Sequence, residues 1–149
     1  VTQAEVEPEV LHYEAVKAML AGTGFPAYLG EHEIPEQPGW PYYVVWAAPG
    51  EPIAADERMR GYAGSITTRF QLTIAALTPT DVLGAAARAR NALHRKRPTI
   101  AGRRCGDIAQ DPGPPAVPTV DPTVKGPNGA RIYVAFLFFS LDSTLQPTI

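Results

Sequence analysis

A single thiol, Cys105, follows Arg103 and Arg104 directly. Two neighbouring guanidinium groups draw a cysteine toward thiolate, the form that attacks electrophiles and binds metals. Catalysis by that thiol also needs a base, and no histidine stands in a recognisable nucleophile context, so a small side chain inside a strand is the favoured reading. The three histidines are scattered. His12 lies beside an apolar helical stripe and reads as packed; His94 reads as a helix-terminal residue. His32, between Glu31 and Glu33, has the residue types of a metal site. Consecutive residues on a looped segment rarely converge on one ion, however, and no partners follow at zinc spacing. The glycines match neither a phosphate-cradling loop nor a dinucleotide fingerprint, and no two acids are spaced for paired acid and base roles. The residues therefore indicate no reaction: the expectation is a non-enzymatic chain with no catalytic residue, no cofactor and no metal.

Charge is the stronger signal. The net charge of −2 conceals two segregated blocks. Residues 1–57 hold ten acids (Glu5, Glu7, Glu9, Glu14, Glu31, Glu33, Glu36, Glu51, Asp56, Glu57) against Lys17 alone. Between Asp81 and Asp107 there are seven cations and no acid: Arg88, Arg90, Arg95, Lys96, Arg97, Arg103 and Arg104. Such blocks meet within one fold or between copies of it. For the basic run a solvated helix face is the favoured reading, ahead of a partner for the acidic third of a neighbouring copy and of phosphate contact; the run holds no aromatic for stacking bases, and a pI near 5.9 is unlike that of a dedicated DNA binder.

These residues need a frame. A chain of 149 residues fits one domain, expected here over 1–149, and buries about 70% of its unfolded surface without a disulfide or metal. With one cysteine no internal disulfide forms, and the absence of a leader-like N-terminus leads to the expectation of a reducing compartment. The longest apolar run, Ile132–Phe139, has eight residues, against roughly 20 for a membrane-spanning helix.

Pro8 suits a first helical turn, and Leu11, Ala15, Val16, Met19 and Leu20 recur at helical spacing until Gly22. Residues 22–41 are turn-rich, with a short strand around 25–29, and Tyr42–Ala47 reads as a buried strand. Residues 48–64 form a long excursion. In Ser65–Leu77, Ile66, Thr68, Phe70, Leu72, Ile74 and Ala76 share one face. Thr78, Pro79 and Asp81 have the order of a helix start, and Val82, Ala86, Ala89 and Leu93 form its small-residue stripe. That helix is expected to run to Pro98, with Arg88, Asn91 and Arg95 pointing outward. Thr99–Ile108 reads as a basic strand. Six prolines within 111–127 make Asp111–Gly129 a long loop, and both it and 49–64 read as arms that order on contact with partners.

The last strand, Ala130–Asp142, is apolar on both faces. The fold class is α+β: a mixed, mostly antiparallel sheet of four to five strands, with two helices on one face and long loop arms. No second helical layer exists for the other face, so the proline-rich loop, the excursion or another subunit must cover it.

The order of these features resembles the tail terminator (tail completion) proteins of long-tailed bacteriophages. It rests on the helix Pro8–Leu20, the Pro-Tyr-Tyr-Val-Val-Trp strand at 41–46, the long loop, the strand Ser65–Leu77, the Thr78-Pro79-Thr80-Asp81 helix start and the final strand Arg131–Leu141. The match spans most of the chain, and its motifs are patterns of period and loop length. The segment 111–129 departs from the pattern. The resemblance implies a structural virion protein, assembled in the host cytoplasm and located in the neck of the tail. Such a protein forms a homo-oligomeric, hexameric ring that caps the tail tube protein and joins it to the head-tail connector (stopper) protein. DNA would pass through the ring lumen with non-specific contact at most, and no membrane is involved. A ring closed by rotation needs two different complementary patches per subunit. Glu51, Asp56, Glu57, Arg58, Arg60, Arg88, Arg95, Arg103 and Arg104 are the candidate contacts. Two other readings compete. One is a ferredoxin-like module that binds a small molecule or nucleic acid on its open sheet face, and the other is an enzyme using Cys105.

Overall fold

The computed structural model describes residues 7–52, 65–113 and 115–145. Helix α1 spans Pro8–Ala21 and helix α2 spans Pro79–Leu93. The strands are β1 (Ala27–Leu29), β2 (Tyr42–Trp46), β3 (Glu51–Pro52), β4 (Ser65–Ala76), β5 (Arg103–Cys105), β6 (Ala109–Gln110), β7 (Thr119–Lys125) and β8 (Arg131–Leu145). They form one mixed sheet whose main order is β1-β2-β4-β8-β5, with β3 beside β4, and β6 and β7 beside β8. Among the described residues only β1 and β2 run parallel, and every other pairing is antiparallel. The α+β architecture holds, with eight strands among the described residues rather than four or five. The additional ones are short strands along the flanks of β4 and β8.

The two long central strands account for this order. β4 and β8 pair without a break from Ser65↔Thr144 to Ala76↔Tyr133. Their alternation sets two faces, because residues directly opposite across a ladder point the same way. Phe70, Leu72 and Ile74 of β4, with Leu137, Phe139 and Leu141 of β8, lie under the helices and form the main core with Tyr43 and Val45 of β2. Val16 and Leu20 of α1, with Val82, Ala85, Ala89 and Leu93 of α2, close it from above. Each large aliphatic side chain buried there contributes about 1.5–3 kcal/mol. The Tyr43 hydroxyl, fully buried, donates to the Ala85 carbonyl at 2.7 Å and pins α2 to β2.

Local rules set the helix ends. Pro8 and Pro79 open the helices, and the Thr78 hydroxyl accepts from the Asp81 amide at 3.1 Å. The second helix stops at Leu93 and not at Pro98, since Arg95 takes a left-handed φ of 61°. Its amide then donates to the Ile108 carbonyl at 2.7 Å, so a tertiary bond turns the chain before proline can.

Two expectations about loops are corrected. Within 111–129, β7 pairs with β8 from Thr119↔Val134 to Lys125↔Arg131, with a register shift after Asp121 where Pro122 interrupts the ladder. This stretch is a paired strand and not an arm. It is exposed along nearly its whole length, so no burial alternation marks it in the sequence. Part of the sheet face away from the helices is covered by residues 34–40, which the sequence reading did not consider: Ile34 and Trp40 pack on Tyr42, Val44, Ala75 and Ile132. The excursion at 48–64 begins with β3 against Thr67 and Ile66, and its residues 53–64 lie outside the described residues. No helix among the described residues is long and apolar enough to cross a membrane.

Candidate functional sites: an open sheet face and two charged surfaces

The surroundings of Cys105, the candidate nucleophile, favour the thiol over the thiolate. Cys105 is buried, and burial pushes its thiol pKa upward against the weaker opposing pull of Arg103 and Arg97. The flanking arginines therefore do not produce the reactive thiolate that their adjacency in sequence permits. Glu33 is engaged by partners other than His32. Its carboxylate accepts from the Leu29 amide at 2.7 Å and from Lys17 Nζ at 3.0 Å, and these two bonds hold its pKa below the usual range. Leu29 lies on the edge strand β1, so this carboxylate occupies an amide that would otherwise present itself to another strand. Among the described residues, no group of three or more His, Cys, Asp or Glu side chains converges on a common point.

The polar cluster the sequence could not assemble is centred on His12, which is fully buried. Arg103 Nε donates to Ser143 Oγ at 2.6 Å, and Ser143 Oγ lies 2.6 Å from His12 Nε2. His12 Nδ1 lies 2.7 Å from Thr68 Oγ1, which also reaches the Leu141 carbonyl at 3.4 Å. The Ser143 and Thr68 hydroxyls can each donate or accept, so the direction of these two bonds follows from which ring nitrogen carries the proton. Burial, followed by the Arg103 charge, lowers the His12 pKa from 6.5 to about 4, with Asp142 opposing. A serine–histidine pair at this distance has nucleophile geometry. Ser143 is nevertheless buried, and its oxygen is already held by Arg103, so the cluster joins α1 to β4, β5 and β8 and presents nothing to a substrate.

Five of the expected contact residues, Glu51, Arg88, Arg95, Arg103 and Arg104, lie among the described residues. Arg103 is half-buried and tied to Ser143, while Arg104 is exposed. Glu51 is exposed on β3 opposite Thr67, whose hydroxyl donates to Asp142 at 2.6 Å. Arg95 is exposed past the end of α2. Asp56, Glu57, Arg58 and Arg60 lie outside the described residues. Arg88 is exposed and held at two points. Its guanidinium stands 4.8 Å from the centre of the Phe25 ring and donates to the Thr23 carbonyl at 3.4 Å. Beside it, Lys96 and Arg97 complete the rim of a groove of about 640 Å³ between the end of α1 and α2.

On the opposite face of the sheet, Trp46, Phe136 and Phe138 are 39%, 43% and 40% exposed. The register puts Trp46, Gln71 and Phe138 in one row, and Val44, Thr73 and Phe136 in the next. Trp46 Nε1 donates to Thr73 Oγ1 at 2.7 Å, which ties the indole to β4. Pro112 and Asp111 border a hollow of about 440 Å³ beside Trp46 and Phe138. The doubly apolar last strand signalled this surface in the sequence. Its partner row on β2 and β4 had no signal of its own.

No protein-family model matches the chain, and no curated protein sequence matches it. Among solved structures, a chain described as the virion of a native gene transfer agent (GTA) particle resembles it with a TM-score of 0.55 at 16% sequence identity. The alignment covers 88% of this chain and 92% of that one. At such identity the shared property is the fold.

Proposed function

We propose that the chain is a structural protein of a phage-like virion that works by self-association, as a terminator-type subunit whose ring caps a tail tube and joins it to the connector. The observation that carries this reading is the aromatic patch of Trp46, Phe136 and Phe138, left exposed on a sheet whose other face is sealed by two helices. Side chains of this size in one patch mark a binding surface. The fold likeness to a chain of a gene transfer agent virion supports the class of particle, and the segregated charges support contacts between copies.

Native mass spectrometry over a rising protein concentration, at low and moderate salt, tests this reading. A closed hexamer that loosens as salt rises is the expected result, since exposed ion pairs are screened within about 10 Å at 0.1 M salt. A discrete dimer at every concentration, with a small ligand taken up beside Trp46, would instead favour a binding module that uses the same open face.

A further inference from the structure

The described residues leave two sets of charges unmet, and helix α1 separates them. At its C-terminal end, Arg88, Lys96 and Arg97 rim the groove, Met19 and Ala92 give it an apolar lining, and no acid faces it. Arg97 shares Asp107 at 3.2 Å, in an exposed pair. Lys96 has no acidic partner among the described residues, and Arg88 is held in place by Phe25 and Thr23 with most of its donors open. At the other end of α1, Val10, Tyr13, Leu29 and Trp46 line an apolar hollow of about 380 Å³. Glu7, at the N-cap of the helix, and Glu14, within it, stand three residues before and four after Val10, and Glu31 adjoins Gly30 and His32 at the rim. All three acids are exposed, and Lys17, the cation nearest in sequence, is engaged by Glu33.

We infer that the basic groove of one copy receives the acid-rimmed N-terminal end of α1 from the next copy. From Val10 to Gly22 the helix advances roughly 18 Å, so the two surfaces of one chain do not meet each other. Two different patches that fit one another generate a head-to-tail contact rather than a two-fold dimer. Each side combines charge with apolar area: Met19 and Ala92 in the groove, Val10 and Leu29 at the acidic end. The groove has no exposed aromatic for base stacking, and its apolar lining suits a protein side chain better than a phosphate backbone. The inference rests on the self-assembly reading and deepens it by naming the surfaces.

Charge reversal tests it in the full chain, with association followed by sedimentation velocity. The variants are Arg88→Glu with Lys96→Glu, Glu7→Lys with Glu14→Lys and Glu31→Lys, and a chain carrying all five. The substituted side chains are exposed, and circular dichroism checks that each variant folds. Each partial reversal should raise the concentration needed for assembly at least about tenfold, and the five-fold variant should recover most of that loss. Wild-type assembly that persists unchanged in the groove variant would overturn the pairing while leaving the ring reading in place. A wild-type chain that is monomeric throughout would overturn both. Retardation of random-sequence duplex DNA by the wild type, lost on groove reversal with assembly unaltered, would assign the groove to phosphate instead.

Discussion

His12 shows how little of a buried polar site is local. Its apolar neighbours predict a packed residue, and it is packed, but its two hydroxyl partners lie 56 and 131 residues away. With its pKa lowered from 6.5 to about 4, neutral His12 contributes stability that is fully present above about pH 6.5 and is lost as pH falls through 4. The full span is worth about 3 kcal/mol. Denaturant unfolding at a series of pH values should show the wild type losing stability over that window. His12→Ala should cost about 2–4 kcal/mol at neutral pH, through cavity formation and the orphaned hydroxyls, and should flatten that part of the curve. An unaltered pH slope in the variant would remove His12 from this role. Cys105 carries the converse lesson: adjacency to Arg103 and Arg104 was legible, and the burial that overrides it was not.

Among the elements, those with a regular period and a buried face were legible: α1, β2, β4 and β8 lie within a few residues of where spacing and breakers put them, and α2 starts at its cap but ends at Leu93, short of Pro98. β7 was not, because a strand exposed on both faces has no alternation and its prolines read as loop. β5 was over-extended to 99–108, since only Arg103–Cys105 finds a ladder on β8. Packing between elements depends on contacts such as the Tyr43 hydroxyl on the Ala85 carbonyl. Tyr43→Phe keeps the ring and removes that bond, so thermal or denaturant unfolding should register a loss of about 1 kcal/mol. No loss would mean that apolar packing alone holds α2 on β2.

For the whole molecule, one sheet face is sealed and the other is half open. Replacing both Phe136 and Phe138 with Ser should lower the unfolding midpoint only moderately, less than the loss of two fully buried rings would, because both are already about 40% exposed. It should also reduce binding of a hydrophobic dye and weaken self-association. A large drop in the midpoint would make the two rings part of the core and remove the patch as a binding surface.

The sequence by itself determined the α+β class, the two helices and their starts, the helix-facing sides of β4 and β8 and the separation of charge, because each depends on residue type and spacing within one segment. Only the tertiary structure decided which residues cover the second face, that Arg103 turns inward to Ser143 while Arg88 remains at a groove, and that the acidic and basic surfaces stand at opposite ends of α1. Those outcomes depend on β-register and on contacts between segments far apart in the chain. No local pattern of residues encodes them.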